Sequence, residues 1–549
     1  MDALRAINPA PARLLAALAA ALFASLTASS LVALPAAQAP SSGMSAVIIR
    51  GEAPAVAGLE HSVVRAGGSV VRELRIIDGF SALVPAARLA SVRALPGVIS
   101  VTENAPLRFH SDYNPNSDPY SMANTATDVG AASAWSQGIT GAGIDVAVVD
   151  SGVAPVQGLG GDGKVVNGPD LSIDSQTPSV QYLDGFGHGT FMAGLIAGKD
   201  PGADPNHPGT SYLGIAPDAR IVNVKVGSAN GAVDVSQVIA GIDWVVQHRH
   251  DNGLNIRILN LSLGTDSSQS YQADPLAYAA EVAWRAGIVV VAAVGNDGAS
   301  AGHVDDPASD PYLIAVGADG SNGSSSLVNM FVATFSSFGN GIRNPDLVAP
   351  GIHLQGLRVP GSFIDLNYPS AVFGDRFFRG SGTSEATALT SGAAALILQK
   401  RPWLTPGQVK AILTQTAVPM PNISVLGQGN GILEAGASVA DSLVIPSGLQ
   451  VFDPAIGTGP LENARGSNHI SLGGVRLAGE QDIFGHPFSA SQMASLEALG
   501  QSWSGGTWNG TAWSGSAWSG TTWSGTTWSG TTWSGTTWSG DIWSADSWS

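Results

Sequence analysis

The chain contains no cysteine, so neither a disulfide framework nor a thiolate nucleophile is available to it, and any durability outside the cell must come from packing or bound ions. Charge is also scarce. Only 12% of the 549 residues are Asp, Glu, Lys or Arg, and acids outnumber bases 42 to 25, a net charge of −17. A basic face for nucleic acid or an anionic membrane is thereby excluded, and no nucleic-acid partner is expected. A clean membrane span is missing as well: the apolar run from Leu14 is interrupted by Thr27, Ser29, Ser30 and Pro35 before about 20 residues are complete. What is abundant is glycine, 69 residues in a chain too long for one compact core. Low charge with many tight turns predicts a large, well-buried α/β domain with smaller companions.

Residues 1–39 read as an export signal, with Arg5 and Arg13 ahead of an Ala/Leu-rich run and Ala37-Gln38-Ala39 offering small residues for cleavage. A secreted protein is expected. From 45 to 108 the pattern is a small βαββαβ unit: strands at 46–49, 70–77, 80–84 and 98–101, with helices at 53–66 and 86–95. The strip around Pro115 and Pro119 is polar and reads as a linker exposed to cleavage. Between 120 and 445, strands at 144–149, 221–226, 256–261 and 288–293 alternate with helices near 235–248 and 275–286. That alternation predicts a doubly wound, mainly parallel sheet. Residues 153–183 read as irregular.

Four glycine-punctuated turns carry chemistry-bearing side chains. Arg379 to Lys400 delivers Ser384 onto the first turn of an apolar helix, where unpaired N–H groups favour developing negative charge, although a Gly-Thr-Ser of this kind also serves as a plain helix cap. Gly380 and Gly382 suggest a tight approach with positive φ. Asp150 ends the strand at 144–149 as Asp-Ser-Gly, at the strand end where α/β sites are built, or as a simple turn. His188 stands between Gly187 and Gly189, which core packing explains poorly. Asn296 follows the strand at 288–293 and is either an oxyanion donor or a turn residue.

In order, VAVVDSGV, GHGTFMAGLIAG, NLSLG, VVAAVGNDG, ATFSSFG with VAPG, and GTSEATALTSGAAAL resemble the successive signature blocks of the subtilisin-like serine endopeptidases, over about residues 45–445. Asp, His, Ser is also the chain order of the subtilisin triad. The resemblance implies that Ser384 is the nucleophile, His188 the base, Asp150 the carboxylate that orients it, and Asn296 an oxyanion donor beside the Ser384 N–H. It further implies that Ser262, Leu263 and Gly264 pair with a peptide substrate, and that residues 45–108 are an inhibitory propeptide released by cleavage between Leu107 and Asp112. No cofactor or metal site is identified, and structural calcium is not legible. A metal hydrolase built on His188 and His207 lacks ligand spacing. A catalytically inactive, surface-binding relative is the remaining alternative.

Two departures stand out. Glu385-Ala386-Thr387-Ala388-Leu389 replaces the family's common Met-Ala-Ser-Pro-His, and Phe191 stands where a second histidine is frequent. After a Gly/Pro-containing spacer at 446–500, residues 501–549 carry tryptophan every fifth position from Trp503 to Trp548, ten of the fourteen in the chain. A period of five gathers rings on one face of neither a helix nor a flat strand. The tail is expected to be either a low-complexity chain or a stack of short coils that attaches the protease to a surface or polymer.

Overall fold

A computed structural model describes residues 43–104 and 113–512, apart from 178, 208–210, 322–326, 443–445, 447–449 and 473–474. The export signal, the cleavage strip at 107–112 and the tryptophans from Trp513 onward lie outside the described residues. The chain divides into two compact units, within 1–110 and 111–549.

In the first unit, strands Ser69–Leu74, Gly79–Pro85, Met44–Gly51 and Val98–Glu103 lie side by side in that order, all antiparallel. Alternation along the two central strands sends Val47, Ile49, Phe80, Ala82 and Val84 inward, where Leu59 and Val63 of the helix Val56–Arg65 and Val92 of the helix Leu89–Arg93 cover them. The expected βαββαβ order is the observed one.

The second unit is built on an eight-stranded sheet in the order Phe331–Val332, Ile314–Gly320, Val289–Ala293, Ile256–Leu261, Asp145–Asp150, Arg220–Lys225, Val165–Asp170, with Leu347–Pro350 beside Ile314–Gly320. All pairings are parallel except that of Phe331–Val332. Central strands such as Val289–Ala293 are buried along their whole length, as both faces of a parallel sheet must be covered. The helices His188–Ala197 and Thr383–Lys400 pack together on one face, and Val235–His248 with Pro275–Arg285 on the other. Strand order reverses around Asp145–Asp150, which puts a crevice at the carboxyl ends there.

Two expectations need correction. The stretch at 153–183 is not wholly irregular, since Val165–Asp170 forms the sheet's edge strand despite its Gly and Pro, which an edge tolerates. More importantly, residues after 446 are no spacer. Leu461, Ile470, Leu477, Ile483, Phe484, Phe488 and Met493 join the main core, and the helix Ala490–Ala498 packs on Pro275–Arg285. Arg465 is fully buried. Its guanidinium donates to Asp234 Oδ2 (2.7 Å), Gly479 O (2.7 Å) and Gln481 O (2.6 Å), and Asp234 in turn caps the helix Val235–His248. Gly and Pro here make turns within a packed domain.

The first tryptophan repeats belong to the same body. Trp503–Ser504, Thr507–Trp508 and Thr511–Ala512 form a three-stranded meander that sets Trp503 opposite Trp508. Asn509 and Gly510, at φ 48° and 76°, make the tight turn with two positive-φ residues that such short hairpins require. Both rings point inward: Trp503 Nε1 donates to Ala240 O (2.8 Å) and Trp508 Nε1 to Asp243 Oδ2 (2.7 Å), on the helix Val235–His248. Two-residue strands joined by two-residue turns advance four residues per step, so the five-residue tryptophan spacing puts Trp503 first in its strand and Trp508 second in the next, which makes them partners across the hairpin.

Candidate active site

Asp150 is the last residue of its strand. It accepts from the Ser151 N–H (2.7 Å), and both its carboxylate oxygens lie 2.9 Å from His188 Nδ1. His188 opens the helix His188–Ala197, and the glycines beside it are explained by space and angle. Gly187 has φ 108°, and a Cβ on Gly189 would run into Gly152 O, so the helix start and the strand end meet backbone to backbone. A buried carboxylate ties this junction together. Asp184 accepts from Gly187 N (2.6 Å), Thr190 N (2.7 Å) and Ser151 Oγ (2.8 Å), occupying the positive end of the helix. Asp184 was not singled out in the sequence, although an acid just ahead of a helix start is a capping signal.

Ser384 lies on the first turn of Thr383–Lys400, and its hydroxyl donates to Ser262 O (3.0 Å). Ser262 Oγ donates back to Ser384 O (3.0 Å) and accepts from Asn260 Nδ2 (2.9 Å), which locks the strand end to the helix. Asn296 Oδ1 accepts from both the N–H and the hydroxyl of Thr383, at 3.0 Å each. With its oxygen engaged, the amide keeps its NH₂ donors for the cleft. Neither Gly380 nor Gly382 has positive φ. Gly382 is extended (φ 170°), and its glycine serves space instead, because a Cβ there would lie 2.8 Å from Glu385 Oε2.

Asp150, His188, Asn296, Ser384, Ser262, Leu263 and Gly264 all line one cleft of about 290 Å³, joined by Ser467 and Asn468 from the C-terminal segment. The site is strongly acidic. Burial alone would lower the His188 pKa, but the charge and hydrogen bond of Asp150, helped by Glu385 and Asp184, raise it to about 9. Glu385 is buried with Oε1 unpartnered, and burial pushes its carboxyl up to about 7 against the pull of His188.

Residues 141–438 match the subtilase family. The chain is 38% identical to the serine protease AprX of Bacillus subtilis over 283 residues, half of this chain and 62% of that protein, so it spans less than two thirds of AprX. It is 35% identical to subtilisin Savinase of Lederbergia lenta over 303 residues (55% of this chain, 93% of that protein) and 32% identical to subtilisin E of Bacillus subtilis over 378 residues (68% and 84%). The chain belongs to the subtilase family of serine endopeptidases.

Proposed function

We propose that this is a secreted serine endopeptidase, made as a self-inhibited precursor, whose chemistry is carried by Asp150, His188, Ser384 and Asn296. The observation that carries the reading is the pairing of His188 Nδ1 with both oxygens of Asp150 at 2.9 Å, in one cleft with a serine at a helix N-terminus. In this reading the Ser384 hydroxyl, which donates to Ser262 O in the structure, turns to His188 Nε2 in the same cleft when substrate binds. As Oγ attacks the scissile carbonyl carbon, its proton passes to Nε2, and the negative oxygen is held by Asn296 Nδ2 and the Ser384 N–H. The C–N bond then breaks, the leaving amine takes the proton from Nε2, and water repeats the sequence to free the acid. Asp150 keeps the Nδ1–H tautomer and steadies the imidazolium. The substrate lies as an extended strand against Ser262, Leu263 and Gly264.

Residues 45–108 act as the intramolecular inhibitor. Their independent core supports this. Among the described residues no helix is long and apolar enough to cross a membrane. The repeats beyond Ala512 attach the enzyme to a surface or polymer, starting from a point fixed by Trp503 and Trp508. Hydrolysis of casein by the secreted protein tests the reading: Ser384→Ala and His188→Ala lose on the order of 10⁶-fold in kcat, and equal cleavage by parent and variants refutes it.

A further inference from the structure

Beside Ser384 the cleft continues between two walls, Ser262–Gly264 and Ala293–Asn296, and its floor is a carboxyl group. Asp305 is only 8% exposed, and its Oδ1 is buried with no hydrogen-bond partner. Its placement is tight. A Cβ added at Gly264 would lie 3.0 Å from the Asp305 Cβ, and one at Gly295 would run into the Asp305 carboxyl, so both walls are glycine where they touch it. The Asp305 N–H donates to Val294 O (3.0 Å), fixing the backbone beneath the site. Two further acids, Asp266 and Asp297, line the same cleft nearer solvent, and among the described lining residues there is no lysine or arginine. Asp266 is held by the Ser467 N–H (2.6 Å), a contact supplied by the C-terminal segment. Among the described residues no three carboxylate or imidazole groups converge as metal ligands would.

We propose that this pocket receives the cationic side chain of a lysine or arginine on the acyl side of the scissile bond, so that the enzyme cleaves after basic residues. Asp305 meets the ammonium or guanidinium at the floor, and Asp297 and Asp266 draw it in at the mouth. The proposal deepens the peptidase reading of the same cleft and rests on it. An unpartnered buried carboxyl is costly, and a cation that reaches it supplies both hydrogen bonds and charge. Burial, with the charges of Asp297 and Asp266, pushes the Asp305 pKa well above the usual carboxylate range. A leucine or phenylalanine side chain would instead cover the acid without pairing it.

The test uses peptide 4-nitroanilides that differ only in their last residue: arginine, its neutral isostere citrulline, lysine, leucine and phenylalanine. Active-site titration with a fluorophosphonate normalises each preparation of secreted enzyme for correctly folded sites. In the parent, kcat/KM for arginine and lysine should exceed that for citrulline and leucine at least tenfold. Asp305→Asn should lower the arginine-to-citrulline ratio at least tenfold, and Asp297→Asn should lower it several-fold. A parent that prefers leucine or phenylalanine, or a ratio unmoved in both variants, overturns the proposal while leaving the peptidase reading intact. Failure to cleave any of the series, together with no fluorophosphonate labelling, removes both.

Discussion

Trp508 is fully buried, and its indole N–H is bonded to the buried carboxylate of Asp243, so replacing it measures how far the repeat segment belongs to the peptidase domain. Trp508→Ala removes the whole ring from a packed site, a loss of about 3–5 kcal/mol. Trp508→Phe keeps most of the apolar contact and deletes the donor, a loss of about 1–3 kcal/mol. The pH dependence separates the two contributions. Burial raises the Asp243 carboxyl to about 7, while the Trp508 and Ser502 hydrogen bonds pull it down. Because the folded pKa lies above the unfolded value of about 3.9, the folded state holds this proton longer, and stability falls as pH climbs from the unfolded pKa to the folded one. Without the indole donor the folded pKa rises further and the decline continues to higher pH, so the deficit of Trp508→Phe is greater at pH 8 than at pH 5. Urea unfolding followed by circular dichroism, in a Ser384→Ala background that prevents self-digestion, reads both effects. An unchanged midpoint in Trp508→Ala, or equal deficits of Trp508→Phe at the two pH values, would refute the reasoning.

Three further outcomes are expected. Truncation after Gly500 removes both anchored indoles and should shorten the thermal-inactivation half-life on the order of a hundredfold, whereas truncation after Ala512 should leave it within about twofold while releasing enzyme from cell-bound or insoluble material; half-lives and partitioning of the two proteins decide this. Since His188 must be neutral to accept a proton and its pKa is raised to about 9, kcat/KM should climb with pH through the alkaline range, and Glu385→Gln, which removes a carboxylate supporting the imidazolium, should move that limb to lower pH in a rate profile. Mass spectrometry of active secreted material should find a chain beginning between Leu107 and Asp112, and a mature form that still begins near Pro40 would rule the propeptide out.

Asp150, His188, Ser384 and Asn296, the residues proposed for the chemistry, could be singled out because each sits on a glycine-punctuated turn; all four line one cleft, and Gly189, Gly295 and Gly382 stand where a Cβ would collide with a neighbouring segment or side chain. The strands Ile256–Leu261 and Val289–Ala293 were legible for a related reason, being short apolar runs between helices of the right length. Asp305 was not, since it is defined by its place against Gly264 and Gly295, segments that meet only in the folded chain, whereas Asp184 carries a local capping signal, three and six residues ahead of the N–H groups it accepts from. The spacer reading of 446–500 failed on composition. Glycine and proline there shape turns around Arg465, whose partners at 234, 479 and 481 no local pattern connects. The five-residue tryptophan period concealed a meander, because its strands are only two residues long and the alternation that marks a strand has no room to appear.

The account stands on Ser384 being a nucleophile activated by His188, and covalent labelling tests that most directly. The secreted protein is treated with a biotinylated fluorophosphonate, digested with an unrelated protease, and the adduct located by peptide mass spectrometry. The account predicts one adduct, on Ser384, whose rate of formation falls steeply in His188→Ala and which is absent in Ser384→Ala. A protein that cleaves casein yet carries its adduct on another residue, or that labels equally well without His188, would contradict it.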